Sequence, residues 1–275
     1  MVDPATAADA SPAASTLRTA DGETLALRDW PRAPGAVARG TVLIVHGLGE
    51  HAGRYAPLAA WLNGRGYAVR GYDLYGHGGS SGRRGHLARE TQHLEHLAEV
   101  AAATRSATPL HLLGHSLGGL IASSAVARGL LRPDGLVLSS PALAVDMAAW
   151  QRAAVGWLPR IAPDLTLGNG LQPKYLSHDP AVHDRICARL GAFVATEGAR
   201  VIEAAARWPV RTLLLYAGDD RLVAPRGSEA FAAAATAARA PVTTQRFAAL
   251  YHEIFNEVDR APVLSAFASW LDSSG

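Results

Sequence analysis

Ser116 is the residue whose surroundings point most directly to chemistry. It lies in the sequence Gly-His-Ser-Leu-Gly at 114–118, after an apolar run ending at Leu113 and before a small-residue apolar segment starting at Leu120. On a tight turn between a strand and a helix, a serine projects its hydroxyl away from the sheet, and flanking glycines make room for the strained backbone. Glycine and serine are also common in ordinary turns, so the motif alone leaves both a nucleophile and a simple turn open.

A candidate acid and a candidate base follow the serine along the chain. A serine hydroxyl needs a general base, and the base needs a carboxylate to orient it. His252 follows the last predicted strand, and Asp219 and Asp220 follow the strand before it. The frame Asp-x-x-Val favours Asp220 as the acid, with Asp219 as the alternative. The order serine, acid, histidine predicts a catalytic triad of Ser116, Asp220 and His252.

Two backbone N–H groups are candidates to stabilise the charge that forms on a carbonyl oxygen under attack. One belongs to Leu117, at the start of the helix that follows the serine. The other belongs to Leu48 in the His-Gly-Leu-Gly sequence at 46–49, whose glycines permit the required backbone geometry. We expect His46 to tether this loop through hydrogen bonds rather than to react.

Strands and helices alternate along most of the chain. Strands are predicted at 41–45, 67–72, 110–113, 135–139, 211–216 and 242–247, and helices at 55–64, 91–105, 120–128, 227–239 and 262–271. A hairpin around the Asp-Gly pair at 21–22 is predicted within 16–30. This order is typical of an α/β protein with a mostly parallel central sheet and helices on both faces. The candidate residues follow strands, at the edge where such sheets bind ligands.

One long segment interrupts the alternation. Residues 141–206 are rich in Trp, Pro and Ala and show only helix fragments, so they predict a helical cap inserted into a core of 16–140 and 207–275. Residues 1–15, rich in Ala, Pro and Asp, are expected to form a disordered tail. Cys187 is expected to lie in a helix over 185–190 as a half-buried structural thiol.

Composition excludes several classes of function. The 275 residues carry a formal charge of +2, from 26 basic and 24 acidic residues, without a block of five like charges, so we expect no nucleic-acid partner. The single cysteine, Cys187, excludes an intramolecular disulfide. The histidines lack metal-ligand spacing, so no metal is expected. The predicted triad requires no cofactor either. With no apolar run of membrane-spanning length and no signal-like start, the cytoplasm is the expected compartment.

Four motifs occur in a characteristic order: HGLGEHAGRY at 46–55, DLYGHGGSSG at 73–82, GHSLGG at 114–119 and YHEIFNE at 251–257. Together they resemble the monoacylglycerol lipase/lysophospholipase family of serine hydrolases, and the likeness extends over residues 16–272. The resemblance implies an α/β-hydrolase fold and hydrolysis of single-chain acyl esters of glycerol or glycerophosphate. It also implies the triad and the two N–H donors named above.

The resemblance further implies that Glu50 and Arg54 border the polar head-group side of the pocket; the alternative is a salt bridge that braces their loop. Two departures bear on the substrate rather than on the triad. The cap looks shortened around 177–184, and Phe255 stands where some relatives carry a polar residue.

Apolar residues recur at helical spacing in the cap: Met147, Trp150, Ala154 and Trp157. The simplest interpretation is packing of the cap onto the core. The alternative is that Trp150 and Trp157 contact substrate, as part of an acyl tunnel or of a face that touches lipid transiently.

We therefore predict a carboxylic ester hydrolase that cleaves monoacylglycerol through an acyl-enzyme on Ser116. Alternatives on the same triad are a lysophospholipase, a short-chain carboxylesterase or thioesterase and, as a minor case, a perhydrolase. A hydrolase-fold binding protein without turnover is the alternative from another class. The sequence leaves the oligomeric state open.

Overall fold

The computed structural model of the chain describes residues 13–168 and 179–273. Residues 1–12 of the predicted tail and residues 177–178 of the predicted shortened segment lie outside the described residues. The tail prediction is wrong for residues 13–15, which belong to the first strand because they pair with the second across the predicted hairpin.

Eight strands form the central sheet, with a separate ribbon of two strands in the cap. The strands are β1 (Ala13–Arg18), β2 (Thr24–Trp30), β3 (Gly40–Val45), β4 (Tyr67–Tyr72), β5 (Leu110–His115), β6 (Gly135–Ser139), β7 (Thr166–Gly168), β8 (Arg185–Cys187), β9 (Thr212–Ala217) and β10 (Val242–Phe247). The order in the main sheet is β1-β2-β4-β3-β5-β6-β9-β10. The pairs β1–β2 and β2–β4 are antiparallel. The remaining pairs are parallel, as the alternation of elements predicts.

Helices cover both faces of this sheet. They are α1 (Ala56–Asn63), α2 (Gln92–Thr104), α3 (Leu117–Ala127), α4 (Ala149–Ile161), α5 (Ala188–Ala204), α6 (Pro225–Ala237) and α7 (Ala261–Asp272). Alternate residues of β3 face opposite sides: Leu43 joins a core with α2, α3, α5 and α6, and Ile44 joins one with α1 and α7. None of the helices among the described residues is long and apolar enough to cross a membrane.

The cap region differs from its prediction in two ways. The helix expected over 185–190 is confirmed for 188–190, where α5 begins, but is wrong for 185–187, which form strand β8 and pair with β7. The Cys187 thiol is buried rather than half-buried, and its sulfur accepts a hydrogen bond from the N–H of Leu190 at the start of α5. Although α5 lies within the predicted cap range, it packs against α3, so its buried face belongs to the core.

Candidate active site

Ser116 occupies a strained turn between β5 and α3. Its φ of +53° lies in the left-handed region, which non-glycine residues rarely adopt. The turn is tight enough that a Cβ on Gly118 would lie 2.0 Å from the carbonyl oxygen of Val45, and one on Gly114 would lie 2.5 Å from the carbonyl oxygen of Gly118. The two flanking glycines are therefore required by the close approach of α3 to the sheet.

The loop after β3 is held by His46, as its position in the sequence suggests. Its Nδ1 donates to the carbonyl oxygen of Gly47 at 2.7 Å, and its Nε2 accepts from the N–H of Leu74 at 2.9 Å. Complete burial lowers the pKa of His46, which keeps the ring in this neutral form. The loop carries Leu48 to the same cavity that Ser116 and Leu117 line.

His252 and Asp220 form a buried hydrogen-bonded pair. Nδ1 of His252 donates to Oδ2 of Asp220 at 2.6 Å, and the Asp220 side chain is only 3% exposed. The other carboxylate oxygen accepts from the N–H groups of Leu222 and Val223, each at 2.9 Å. Burial alone would raise the pKa of Asp220, but the hydrogen bond from His252 and those from the two N–H groups lower it overall, so the carboxylate stays ionised.

The structure separates the two neighbouring aspartates. Asp219 is exposed and pairs with Arg221, which is also exposed, at 3.2 Å. The carboxylate that accepts the hydrogen bond from His252 is therefore that of Asp220, the residue that the sequence favours.

His115 adds a second imidazole beside the first. Its ring centroid lies 4.8 Å from that of His252, and its Nδ1 is 3.1 Å from Oγ of Ser139. Burial, together with the neighbouring His252, lowers the pKa of His115 to about 4. His115 is thus neutral near pH 7 and does not repel a protonated His252.

Glu50, Arg54 and Glu253 form a connected group that we call the Glu–Arg–Glu bridge. Nη1 of Arg54 donates to Oε2 of Glu50 at 2.8 Å, and its two terminal nitrogens donate to both oxygens of Glu253 at 3.1 and 2.8 Å. Oε1 of Glu50 accepts from the N–H of Gly47 at 2.5 Å and from the Tyr55 hydroxyl at 2.8 Å. The salt bridge considered from the sequence is present, and all three bridge residues also border the cavity.

Sequence reasoning did not single out Glu253. The available signal was that Glu253 directly follows the candidate base His252 within one of the four motifs. Another motif contains Arg54, a residue of opposite charge that could be its partner. The two residues are separated by 199 positions in sequence, so only the fold brings them together.

The cavity has a volume of about 530 Å³. Ser116 and His252 lie at its wall, together with the Glu–Arg–Glu bridge. Apolar side chains from the cap range also line it: Val145, Met147, Ala154, Val155, Leu158, Ile186 and Val194. Trp150 also borders the cavity although it is 69% exposed, whereas Trp157 does not border it and is 52% exposed.

A group of buried histidines lies beneath these loops. The ring of His77 is 4.6 Å from that of His183 and 6.5 Å from that of His93. Within residues 13–168 and 179–273, however, no group of three or more His, Cys, Asp or Glu side chains is arranged to hold a metal ion.

Comparison with known proteins finds clear relatives. The family model described as serine aminopeptidase, S33, matches residues 36–259. The chain is 32% identical over 256 residues to a monoacylglycerol lipase of Mycolicibacterium smegmatis, covering 87% of this chain and 90% of that protein. It is 29% identical to an abhydrolase domain-containing protein of Dictyostelium discoideum, of which it spans only 28%. The crystal structure of a monoacylglycerol lipase from Paleococcus ferrophilus superposes with a TM-score of 0.81 at 34% identity, covering 91% of this chain and 99% of that one.

Proposed function

The chain belongs to the family described as serine aminopeptidase, S33, and from this premise we propose that it is a monoacylglycerol lipase that works through Ser116, His252 and Asp220. The similarity to monoacylglycerol lipases supports the assignment of this chain as a carboxylic ester hydrolase with an α/β-hydrolase fold. The roles of individual residues are our proposal, argued from the geometry of the site.

In the first half of the reaction, the Ser116 oxygen attacks the ester carbonyl while His252 takes the hydroxyl proton. The ionised Asp220 holds the imidazole through Nδ1 and stabilises its protonated form. The N–H groups of Leu48 and Leu117 receive the charge on the carbonyl oxygen, and losing one such donor typically costs about 10²–10³-fold in rate. His252 then gives its proton to the departing glycerol oxygen, and the acyl group stays on Ser116.

In the second half, a water molecule takes the place of the alcohol. His252 removes a proton from this water as it attacks the acyl-enzyme carbonyl, and the fatty acid leaves when the serine oxygen recovers the proton. The apolar part of the cavity provides room for the acyl chain, since it is lined by the cap side chains named above.

The observation that carries the proposal is the buried Asp220–His252 hydrogen bond at 2.6 Å beside a serine in a strained turn. A binding protein has no need of a carboxylate that orients an imidazole next to such a serine. If His252 had only a structural role, Ser116 would have no reason to adopt a strained backbone conformation.

The test is hydrolysis of 1-monoacylglycerols from C8 to C18, compared with lysophosphatidylcholine and p-nitrophenyl esters, by the wild type and by Ser116→Ala. We expect the monoacylglycerols to be preferred and the variant to lose at least about 10³-fold in kcat, as removal of an acyl-accepting hydroxyl requires. Activity on short p-nitrophenyl esters alone would instead favour the short-chain esterase. Full activity of the variant would refute Ser116 as nucleophile.

We also propose that the cap contacts a membrane surface transiently to collect substrate. Five of its large apolar residues are exposed, and we call them the cap face: Trp150, Trp157, Ile161, Leu165 and Leu167. Of these, Trp150 and Leu167 also border the cavity. Apolar residues grouped on one exposed helix and its neighbouring strand are typical of interfacial binding. The cytoplasmic location stays a prediction.

Sedimentation with phosphatidylcholine vesicles tests this contact. Trp157→Ser combined with Ile161→Ser should reduce the bound fraction severalfold because both residues are more than half exposed on the cap face. Val37→Ser is the matched control, since Val37 is 82% exposed but lies in the loop before β3. Equal binding of the three proteins would refute the contact.

A further inference from the structure

The Glu–Arg–Glu bridge is a charged group that lies beside the proposed nucleophile. A methyl group on Gly47 would lie 2.9 Å from Oε1 of Glu50 and 3.2 Å from Cβ of Ser116, so both side chains meet at the same backbone position. Glu253 follows His252 directly and borders the same cavity. The bridge therefore forms part of the cavity wall next to Ser116.

Both carboxyls of the bridge are ionised near neutral pH. Burial alone would raise the pKa of Glu50, but the neighbouring His115 and His46, the positive charge of Arg54 and the hydrogen bond from the N–H of Gly47 lower it overall. Burial would likewise raise the pKa of Glu253, but the hydrogen bonds and charge of Arg54 lower it overall. Although burial opposes it, the two carboxylates raise the pKa of Arg54, which stays protonated. Two carboxylates against one guanidinium leave one negative charge at this wall.

The other charged residues bordering the cavity do not offset this charge. Asp146 and Arg221 are exposed, and each has a partner of opposite sign: Arg226 at 2.6 Å and Asp219 at 3.2 Å. The neighbouring His115 is neutral for the reason given above.

Arg54 is also poorly placed to bind an anion. Three of its five guanidinium N–H groups already donate to Glu50 and Glu253, so a phosphate that approached Arg54 would lie beside two carboxylates. A neutral hydroxyl, in contrast, can donate to a carboxylate oxygen without adding charge to a partly buried wall.

We infer that Glu253 is a specificity-determining residue: together with Glu50 it makes the wall beside Ser116 negative, so that esters of neutral polyhydroxyl alcohols are accepted and esters whose alcohol carries a phosphate are rejected. The inference rests on the proposed function and deepens it. It selects the neutral glycerol ester over a phosphate-bearing lysolipid.

The experiment compares two substrates that differ only by the phosphate on the glycerol, 1-octanoylglycerol and 1-octanoylglycerol 3-phosphate, below their micellar concentrations. We expect the wild type to favour the neutral ester in kcat/KM, and Glu253→Gln to reduce that preference by on the order of tenfold, because it removes one nearby charge while keeping the side-chain shape. Glu253→Asp keeps the charge and should retain most of the preference.

Asp219→Asn is the matched control, since it removes a negative charge near the catalytic loops but outside the bridge, and it should leave the preference unchanged. Hydrolysis of p-nitrophenyl octanoate measures transfer of the same acyl group to the enzyme. Its leaving group, p-nitrophenol, has neither the free hydroxyls of glycerol nor a phosphate. We expect this activity to change less in Glu253→Gln than the preference does.

An equal preference in the wild type and Glu253→Gln would overturn the inference while leaving the lipase intact. The same conclusion follows if the wild type hydrolyses both octanoyl esters equally well, or if Asp219→Asn shifts the preference as much as Glu253→Gln. Hydrolysis of neither glycerol ester, with p-nitrophenyl octanoate still cleaved, would refute the proposed function and the inference with it.

Discussion

Replacing His93 should make the protein more resistant to acid. His93 lies in α2, completely buried, and neither ring nitrogen has a hydrogen-bond partner among the residues that the structure describes. Burial first, and the neighbouring His96 and His46 second, lower its pKa to about 3 from an ordinary value of 6.5. In the unfolded chain the ring takes up a proton below about pH 6.5, whereas in the folded protein it stays neutral down to about pH 3.

The sign and size of the effect follow from this difference. Because the unfolded state binds the extra proton, the free energy of unfolding falls as the pH falls through 6.5, until the folded protein also binds it. Between pH 7 and pH 5, His93 alone lowers the free energy of unfolding by about 2 kcal/mol. The exact folded pKa matters little here because it lies far below pH 5.

Urea unfolding at pH 7 and pH 5 measures this quantity. His93→Leu and His93→Gln should each lose about 2 kcal/mol less than the wild type between the two pH values, although they differ from each other at pH 7. If the apolar and the polar replacement show the same pH-dependent change in the free energy of unfolding, the change comes from the titration of His93 and not from altered packing. If both variants lose as much stability as the wild type, the ring is protonated in the folded protein and the reasoning is refuted.

Two further predictions concern the active site. Asp220→Asn should lower kcat by about 10⁴-fold because the amide no longer stabilises the correct tautomer and charge of His252. The kcat of Asp219→Asn should stay within about twofold of the wild-type value. Steady-state ester hydrolysis measures both, and similar losses in the two variants would refute the assignment of Asp220 as the acid. Gly118→Ala should lower the free energy of unfolding by at least about 2 kcal/mol and abolish activity, since the new Cβ would lie 2.0 Å from the carbonyl oxygen of Val45. In thermal unfolding, the control Gly156→Ala should be neutral or stabilising because nothing lies within 4 Å of its Cβ position, and a wild-type melting temperature for Gly118→Ala would contradict the close approach.

Local patterns in the sequence determined the alternating architecture and the family. Short β-branched runs and helical spacing are properties of neighbouring residues, so the strands and helices of the core were placed within a few positions of their bounds. The family resemblance read from the four motifs is confirmed by the matching family model and by the relatives. The order of Ser116, Asp220 and His252 was readable for the same reason, since each residue follows a recognisable strand.

Only the tertiary structure decided what depends on contacts between distant segments. Cys187 was misassigned to a helix because β8 is formed by pairing with β7, and an isolated three-residue strand carries almost no periodic signal. Trp150 and Trp157 share a helical spacing, yet only Trp150 borders the cavity, because the placement of α4 over the core sets what each side chain faces.

The Glu–Arg–Glu bridge shows the same division most clearly. Arg54 and Glu253 each stand in a recognisable motif, but their pairing across 199 positions in sequence is invisible until the sheet brings the loop after β3 beside the loop after β10. Local propensity is encoded over a few residues, whereas the charge of a binding wall is a sum over residues from distant parts of the chain. The sequence by itself therefore determined the class of reaction, and the folded structure decided which charges surround the reacting group.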